Sequence, residues 1–416
     1  MIDKKKLRAW WFRKQGLDGS LKNTGVAEVL QKTGWARSVG GVNPYITLFA
    51  RAGISRDAAD AALAKIEIHE LPAARGCTYV LPVSDFALGL KAGQGFGDES
   101  DLSTAVKFLG VTEKEIVKLC NGVLKALEGG SKDPKELKGV LGDTVRNLGE
   151  AGKKKGVTTT LPLALGRLQS RGRIRRIPAN GRLDQQRYSY ALWSPSPLDN
   201  FHMSQEEVYS ELAKRYFKWI GPASFANFRW FSGLGAKIAK DAVDSTGVVP
   251  LEKESDFLIH KDELDQFHSF KMPKEANYSL VSSIDGIQHL RRDVANLLED
   301  SDLKRKVMGD KNLVPIGSVP DLYSHGILDR GRLIGLWEFE PSSSSIVWTS
   351  FEKADPKLKA AVTETEKVVR DQLGDARSFS LDSPESRAPR IKALRARSEE
   401  DQMRSIWIKK INNCSL

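Results

Sequence analysis

Two side chains near the start of the sequence could serve a hydrolytic step, His69 and Glu70 in IHELPAARG, which lies downstream of the octet SVGGVNPY (residues 38–45). A carboxylate such as Glu70 can activate a water as a general base, and an imidazole beside it can hold that water in place. No spacing among them specifies a reaction. His325 and Asp329 in SHGILDRG are equally isolated, each of these groups is more often a structural hydrogen-bonder, and GxGxxG, the Walker motif, HExxH and GxSxG are all absent. Cys77, Cys120 and Cys414 are far apart and odd in number, and the six histidines show no HxxxH spacing. Neither a disulfide framework nor a metal site is expected, and no cofactor.

Binding chemistry is clearer. The net charge of +11 favours a polyanionic partner, with solubility as the competing explanation, and the distribution of charge decides between them. Between Arg171 and Arg187, six arginines (Arg171, Arg173, Arg175, Arg176, Arg182 and Arg187) stand against one acid, Asp184. In RIRRIP, strand alternation sends Arg173 and Arg175 to one face, while Ile174 and Ile177 bracket the other with Arg176. Such a face presents guanidinium forks to phosphate oxygens. Lys153, Lys154 and Lys155 of GKKKG, with Arg167, extend it upstream, and Arg37 and Arg75 are further candidates; a solvated basic hairpin is the competing reading, but on a helix-and-hairpin unit contact with nucleic acid is favoured. In the octet itself, Gly40 and Gly41 describe a backbone that bends tightly or lets something approach closely, before a helix with Asn43 as N-cap and Pro44 at N1. On its own the octet reads most simply as a tight turn between helices.

The elements that must position these residues are plainest in mid-chain. GVTEKEIVKLCNGVLKALEGG carries a capping box (Thr112, Glu115) and apolar residues at helical spacing. DPKELKGVL starts a second helix at Asp133 and Pro134, and TTTLPLALGRLQSRG a third, opened around Thr160 and Pro162 and closed by Gly172. Two β-like runs, RIRRIP and RYSYALW, follow. Three helices and a hairpin in that order are the plan of a winged helix-turn-helix. The plan recurs before it (GVAEVLQKTG, PYITLFARAG, SRDAADAALAKI, then IHELPA and GCTYVLP) and after it, where Ser204 and Glu207 form a second capping box. The aromatic clusters Trp10, Trp11, Phe12 and Phe225, Phe228, Trp230, Phe231 are expected in the core and between units. From about residue 278 short strands suit a small meander or an open, barrel-like region, then a helix opens at Asp355 and Pro356, and the charged arm beyond Gly374 is expected to be loosely held, with IKALRARSEEDQMRSIWIKKI as a candidate helix within it.

In this order, ITLFARAG, PAARGCTYVLP, LPLALGRLQSRGRIRRI, RYFKWIGPASFANFRWFSGL and RGRLIGLWEFEP resemble the AlkZ/YcaQ family of winged-helix DNA glycosylases, over roughly residues 5 to 350. The resemblance implies an α+β fold of three tandem winged helix-turn-helix units cradling a basic concave surface, completed by a small β-rich part. Active members excise alkylated bases, including those in interstrand crosslinks, with a water positioned by a Gln-x-Gln or Gln-x-Asp motif just before the helix that matches PYITLFARAG. Those positions fall here at or near Arg37 and Val39, and no Gln or Asp lies between Lys32 and Arg56. An arginine opposes a developing sugar cation, and a valine holds no water.

The units implied are 1–100, 101–198 with the basic wing, 199–275, a β-rich region 276–354 and a C-terminal helix and arm 355–416. The expected function is binding of duplex or damaged DNA, in the setting of DNA repair, with the glycosylase motif absent. A glycosylase using Glu70, His69 or Asn43 to place the water is the alternative. A transcriptional regulator is a third, disfavoured because two-fold operators call for two-fold proteins. No run approaches a membrane span and the N-terminus lacks a signal-peptide core, so an intracellular monomer is expected, at the nucleoid of a bacterium or in a nucleus.

Overall fold

The computed structural model describes the backbone of residues 2–413, with side chains described except at residues 98, 99 and 399–413. Helix α1 (Lys4–Lys14) is capped by Asp3 and buries Leu7, Trp10, Trp11 and Phe12. The indole N–H groups of Trp10 and Trp11 donate to the carbonyls of Gly221 and Pro222, so the aromatic run serves packing between distant segments.

The first helical group comprises α2 (Val26–Thr33), β1 (Ala36–Arg37), α3 (Asn43–Ala52), α4 (Arg56–Ala64), β2 (Ile68–Pro72) and β3 (Thr78–Pro82). Its helices and hairpin are those expected, and β1 adds a third strand in the order β1-β3-β2. The expected N-cap at Asn43 is corrected by one residue: Val42 occupies the cap, and the Asn43 carboxamide instead donates back to the Arg37 carbonyl at 2.6 Å. Pro44 still lies in the first turn, where its missing N–H costs nothing.

Helices α5 (Phe86–Gly93) and α6 (Asp98–Leu109) lead to the second group: α7 (Glu113–Leu127), α8 (Pro134–Leu141), α9 (Gly149–Lys154), α10 (Leu161–Ser170), β4 (Ile174–Pro178) and β5 (Tyr188–Leu192). Both sequence caps hold, with full capping boxes at Thr112/Glu115 and Asp133/Glu136. Leu102, Ile116, Leu119, Val123, Leu168 and Ile174 belong to a core of this group's own.

The third group runs α11 (Gln205–Ile220), β6 (Ala223–Ser224), α12 (Phe225–Ser232), α13 (Ala236–Asp244), β7 (Val248–Pro250), β8 (Phe257–His260) and α14 (Lys261–Ser269). Its core is continuous with that of α1, α5 and the β2–β3 hairpin.

The remaining elements are β9 (Tyr278–Val281), α15 (Gly286–His289), β10 (Lys306–Met308), β11 (Leu313–Pro315), β12 (His325–Asp329), β13 (Arg332–Glu340), β14 (Ser345–Ser350), α16 (Pro356–Val368) and α17 (Pro384–Asn413). Four of the strands form an antiparallel sheet of order β14-β13-β12-β9. The meander expected here forms, β12, β13 and β14 being consecutive antiparallel strands, while the barrel-like alternative is corrected: β9 and β14 are the two edges of an open sheet. Helix α16 packs beside β9 and α17 beside β13 and β14, covering the sheet so that closure is not needed to protect it.

The arm beyond Gly374 carries the helix expected over 391–411, as part of α17, but it departs from the expectation of a loose hold. Arg387, 1% exposed, donates to both carboxylate oxygens of Asp375 at 2.8 and 2.9 Å, and Arg390 lies 2.8 Å from Glu338. These pairs hold the start of α17 against β13 and fix the segment before it. No helix among the described residues is long and apolar enough to cross a membrane.

Candidate nucleic-acid interface

The octet is approached closely, by the chain itself. The Ser380 amide donates to the Val39 carbonyl and the Val42 amide to the Arg377 carbonyl, each at 3.0 Å, so residues 377–380 lie along it as a strap. A side chain at Gly41 would collide with the Ser378 carbonyl oxygen. Gly40 has φ +73°, and a Cβ there would stand 2.5 Å from Gln186 Cγ in the segment between β4 and β5. Both glycines, read from the sequence as points of close approach, are buried under these neighbours.

Polar groups converge on the same place. Ser38, 0% exposed, donates its hydroxyl to Glu70 Oε1 at 2.6 Å, and the Tyr188 hydroxyl donates to Glu70 Oε2 at 2.8 Å. Three elements contribute: the end of β1, the middle of β2 and the start of β5. Burial, then the Glu70 charge and this bond, push the Tyr188 phenol well above its ordinary range. The guanidinium of Arg176 sits 5.0 Å from the centre of the Tyr188 ring, close to the same carboxylate. Glu70 is thus an acceptor held by two hydroxyls beside a cation. The neighbouring residue differs: His69 is 2% exposed between Phe86 and Trp193, neither ring nitrogen has a hydrogen-bond partner, and burial, helped by Arg175 and Arg176, pushes it down to about 3. A neutral imidazole packed between aromatic rings is placed to fill space. Asn43 is committed to Arg37 and Thr47. His325 is enclosed between the Ser283 amide and the Ala376 carbonyl, and Asp329 pairs with Arg330.

The basic residues divide into two classes. Arg167 forks onto Glu113, Arg182 pairs with Asp184, Lys153 reaches Glu150, and Arg176 is half-buried on Tyr188. Arg175 is half-buried as well. By contrast Lys154, Lys155, Arg171, Arg173 and Arg187 are exposed and form no ion pair among the described residues. They lie at the end of α9, after α10, and before β4 and β5. Alternation along RIRRIP therefore places Arg173 outward and Arg176 on the covered side as expected, while Arg175, expected outward beside Arg173, is half-buried.

Arg37 and Arg75 have their partners outside this hairpin. Arg37 donates to the Thr78 carbonyl at 2.5 Å and lies 5.3 Å from the centre of the Tyr79 ring. Arg75 lies 4.1 Å from the centre of the Trp230 ring, with His289 and Arg292 around the same indole. Sequence reasoning placed Trp230 in the packing set and gave His289 and Arg292 no role. Their separation along the chain left no local signal to find them by.

The sequence profile of the family described as DNA glycosylase AlkZ-like matches residues 31–379. No curated protein sequence matches significantly. Among solved structures, the Streptomyces sahachiroi DNA glycosylase AlkZ is similar in fold, with a TM-score of 0.64 at 16% sequence identity over 91% of this chain and 98% of that one. The profile covers well over half of the sequence and the shared fold nearly all of it, so the chain belongs to the AlkZ-like DNA glycosylase family.

Proposed function

We propose that this protein binds duplex or damaged DNA on the face made by the end of α9, the end of α10 and the β4–β5 hairpin. In this reading each helical group with its hairpin is a winged-helix unit, bounded near 1–100, 101–198 and 199–275, followed by the β-rich region at 276–354 and a C-terminal helix and charged arm at 355–416. The chain works as an intracellular monomer in DNA repair. The observation that carries the reading is the gathering of Lys154, Lys155, Arg171, Arg173 and Arg187 on one helix-and-hairpin unit, all exposed and outside any ion pair among the described residues. Cations that no carboxylate neutralises are free to displace counterions from phosphates. In a fluorescence titration with a labelled duplex, Arg171→Ala/Arg173→Ala/Arg187→Ala weakens binding. Affinity equal to that of the unaltered protein removes the assignment.

One observation favours a second reading, a glycosylase with a relocated catalytic group. Glu70 is an acceptor fixed by Ser38 and Tyr188 next to the strand position where active relatives carry their glutamine pair. A carboxylate there can orient a water and offset positive charge on a sugar, which Arg37 and Val39 cannot. Incubation with DNA carrying alkylated purines then yields free base or alkali-labile sites, and Glu70→Gln abolishes the yield. Tight binding without release from any lesion leaves DNA binding as the function.

A further inference from the structure

Arg75 and Arg292 are far apart in sequence yet place their guanidinium groups on one indole. Their Cζ atoms lie 4.1 and 5.4 Å from the centre of the Trp230 ring, and His289 meets that ring edge-on at 5.1 Å. Arg37, on the Tyr79 ring, is the next cation inward. Burial pushes His289 down, Asp321 partly offsets this, and Arg37 and Arg75 lower it further, which puts both arginines in electrostatic contact with the imidazole. The acid facing the group is Asp321, 2.7 Å from Arg292 Nε and 3.8 Å from His289 Nδ1. Three guanidinium groups against one carboxylate leave the cluster positive.

Two features show that it is held in place by the fold. Arg75 has φ 59° and Arg292 φ 53°, the left-handed region that residues with a Cβ rarely adopt, and such strain gathers where the surroundings impose a function. Nε2 of His289 is buried without a hydrogen-bond partner, a donor or acceptor left open. The Trp230 ring orients the two guanidinium planes and is already occupied by them, so a ligand is offered charge and fork donors rather than a stacking face.

We propose that Arg37, Arg75, Arg292 and His289 around Trp230 form a seat for one phosphate group of a DNA strand, separate from the β4–β5 hairpin. Arg292 is 41% exposed, so the seat opens to the surface where a continuous strand can pass. A free nucleotide would leave its base unmatched there. The order of residues at the end of β1 divides the work: Arg37 turns to this seat, and Ser38 turns to Glu70 and Tyr188. The inference rests on the DNA-binding reading for the source of the phosphate and not for the chemistry of the seat.

The test uses the full chain and two readouts. In the first, duplex affinity is followed against salt for the unaltered protein and for Arg75→Gln/Arg292→Gln, with thermal unfolding checked for both. The slope of log affinity on log salt falls by about 0.9 in the variant, the loss of one phosphate contact. In the second, inorganic phosphate is titrated without DNA while the imidazole resonances are followed by NMR, with His289→Gln for assignment. The His289 signal shifts in the unaltered protein and stays in place in the double variant. The phosphate titration also works in Arg171→Ala/Arg173→Ala/Arg187→Ala, so failure of the hairpin assignment and failure of the seat are distinguishable. An unmoved His289 signal overturns the seat, and a shift with an unchanged salt slope overturns its assignment to a DNA strand. Should the double variant unfold early, Arg292→Gln alone, at the exposed position, carries the same two readouts.

Discussion

Ser38 Oγ lies 2.6 Å from Glu70 Oε1, and this bond fastens the residue that opens the octet to a carboxylate that Tyr188 also holds. Glu70→Ala removes the acceptor and leaves two hydroxyls with no partner at a site where Ser38 is fully buried. The expected loss of stability is about 1–3 kcal/mol, read from urea unfolding, with a smaller loss for Tyr188→Phe, which removes one donor only. Equal stability of Glu70→Ala and the unaltered protein would show that the cluster adds nothing to the fold.

The strap over the octet depends on the absence of a side chain at Gly41. Gly41→Ala drives a methyl into the Ser378 carbonyl, a backbone atom that cannot rotate away. Overpacking of this kind costs about 1–3 kcal/mol, and here it lifts residues 377–380 off Val39 and Val42. Limited trypsin digestion should then cut after Arg377 faster than in the unaltered protein. An unchanged digestion pattern would mean that the strap is held elsewhere.

Arg51 and Asp285 form a pair enclosed in the protein, 1% and 0% exposed, with bonds of 2.7 and 2.8 Å to the two carboxylate oxygens. Burial by itself raises the Asp285 carboxyl, but Arg51, the Ile287 amide and Thr47 outweigh it and hold the group below the usual carboxylate range. Asp285→Asn leaves the guanidinium without its counter-charge and is expected to cost about 3–5 kcal/mol. A folded value below the unfolded one means that the contribution is complete above the ordinary aspartate range and is lost as pH falls through the lower folded value. The difference in unfolding free energy between the two proteins therefore stays constant from pH 8 to pH 5 and narrows only below about pH 4. Narrowing already at pH 6 would contradict it.

His69 and His325 work in the opposite sense to a stabilising charged histidine. Burial pushes both down to about 3, so the unfolded chain takes up protons that the folded one refuses. Stability falls as pH drops from about 6.5 towards 3, by about 1.4 kcal/mol per pH unit for each ring. His69→Phe, which suits the space between Phe86 and Trp193, should flatten the decline between pH 6.5 and pH 5 in urea titrations. A decline as steep as that of the unaltered protein would show that His69 is protonated in the fold.

Local chemistry was legible in the sequence at several helix starts, though not at Asn43, where Val42 takes the cap. Thr112 with Glu115, Ser204 with Glu207, and Asp133 before Pro134 name helix starts because each cap is satisfied within four residues. The outward Arg173 followed from strand alternation, and the six-arginine run marked the hairpin. What stayed hidden depends on partners distant in the chain. Arg182 looked available, yet its guanidinium donates to the Leu373 carbonyl 191 residues away. The strap carries no pattern of its own, since backbone amides and carbonyls of residues 377–380 hold it to the octet. Glu70 could be picked out as a carboxylate, but its two donors lie 32 and 118 residues away. The sequence left a meander and an open barrel side by side because strand patterns fix alternation and not closure.

The central claim is that exposed cations on the β4–β5 hairpin and the helix ends beside it carry the contact with DNA. Equilibrium binding of a labelled duplex across a salt series, for the unaltered protein and for Arg171→Ala/Arg173→Ala/Arg187→Ala, tests it most directly. If all three side chains meet phosphates, the slope of log affinity on log salt falls by about 2.7 in the variant. A slope and affinity identical in the two proteins, with both folded, would contradict the account.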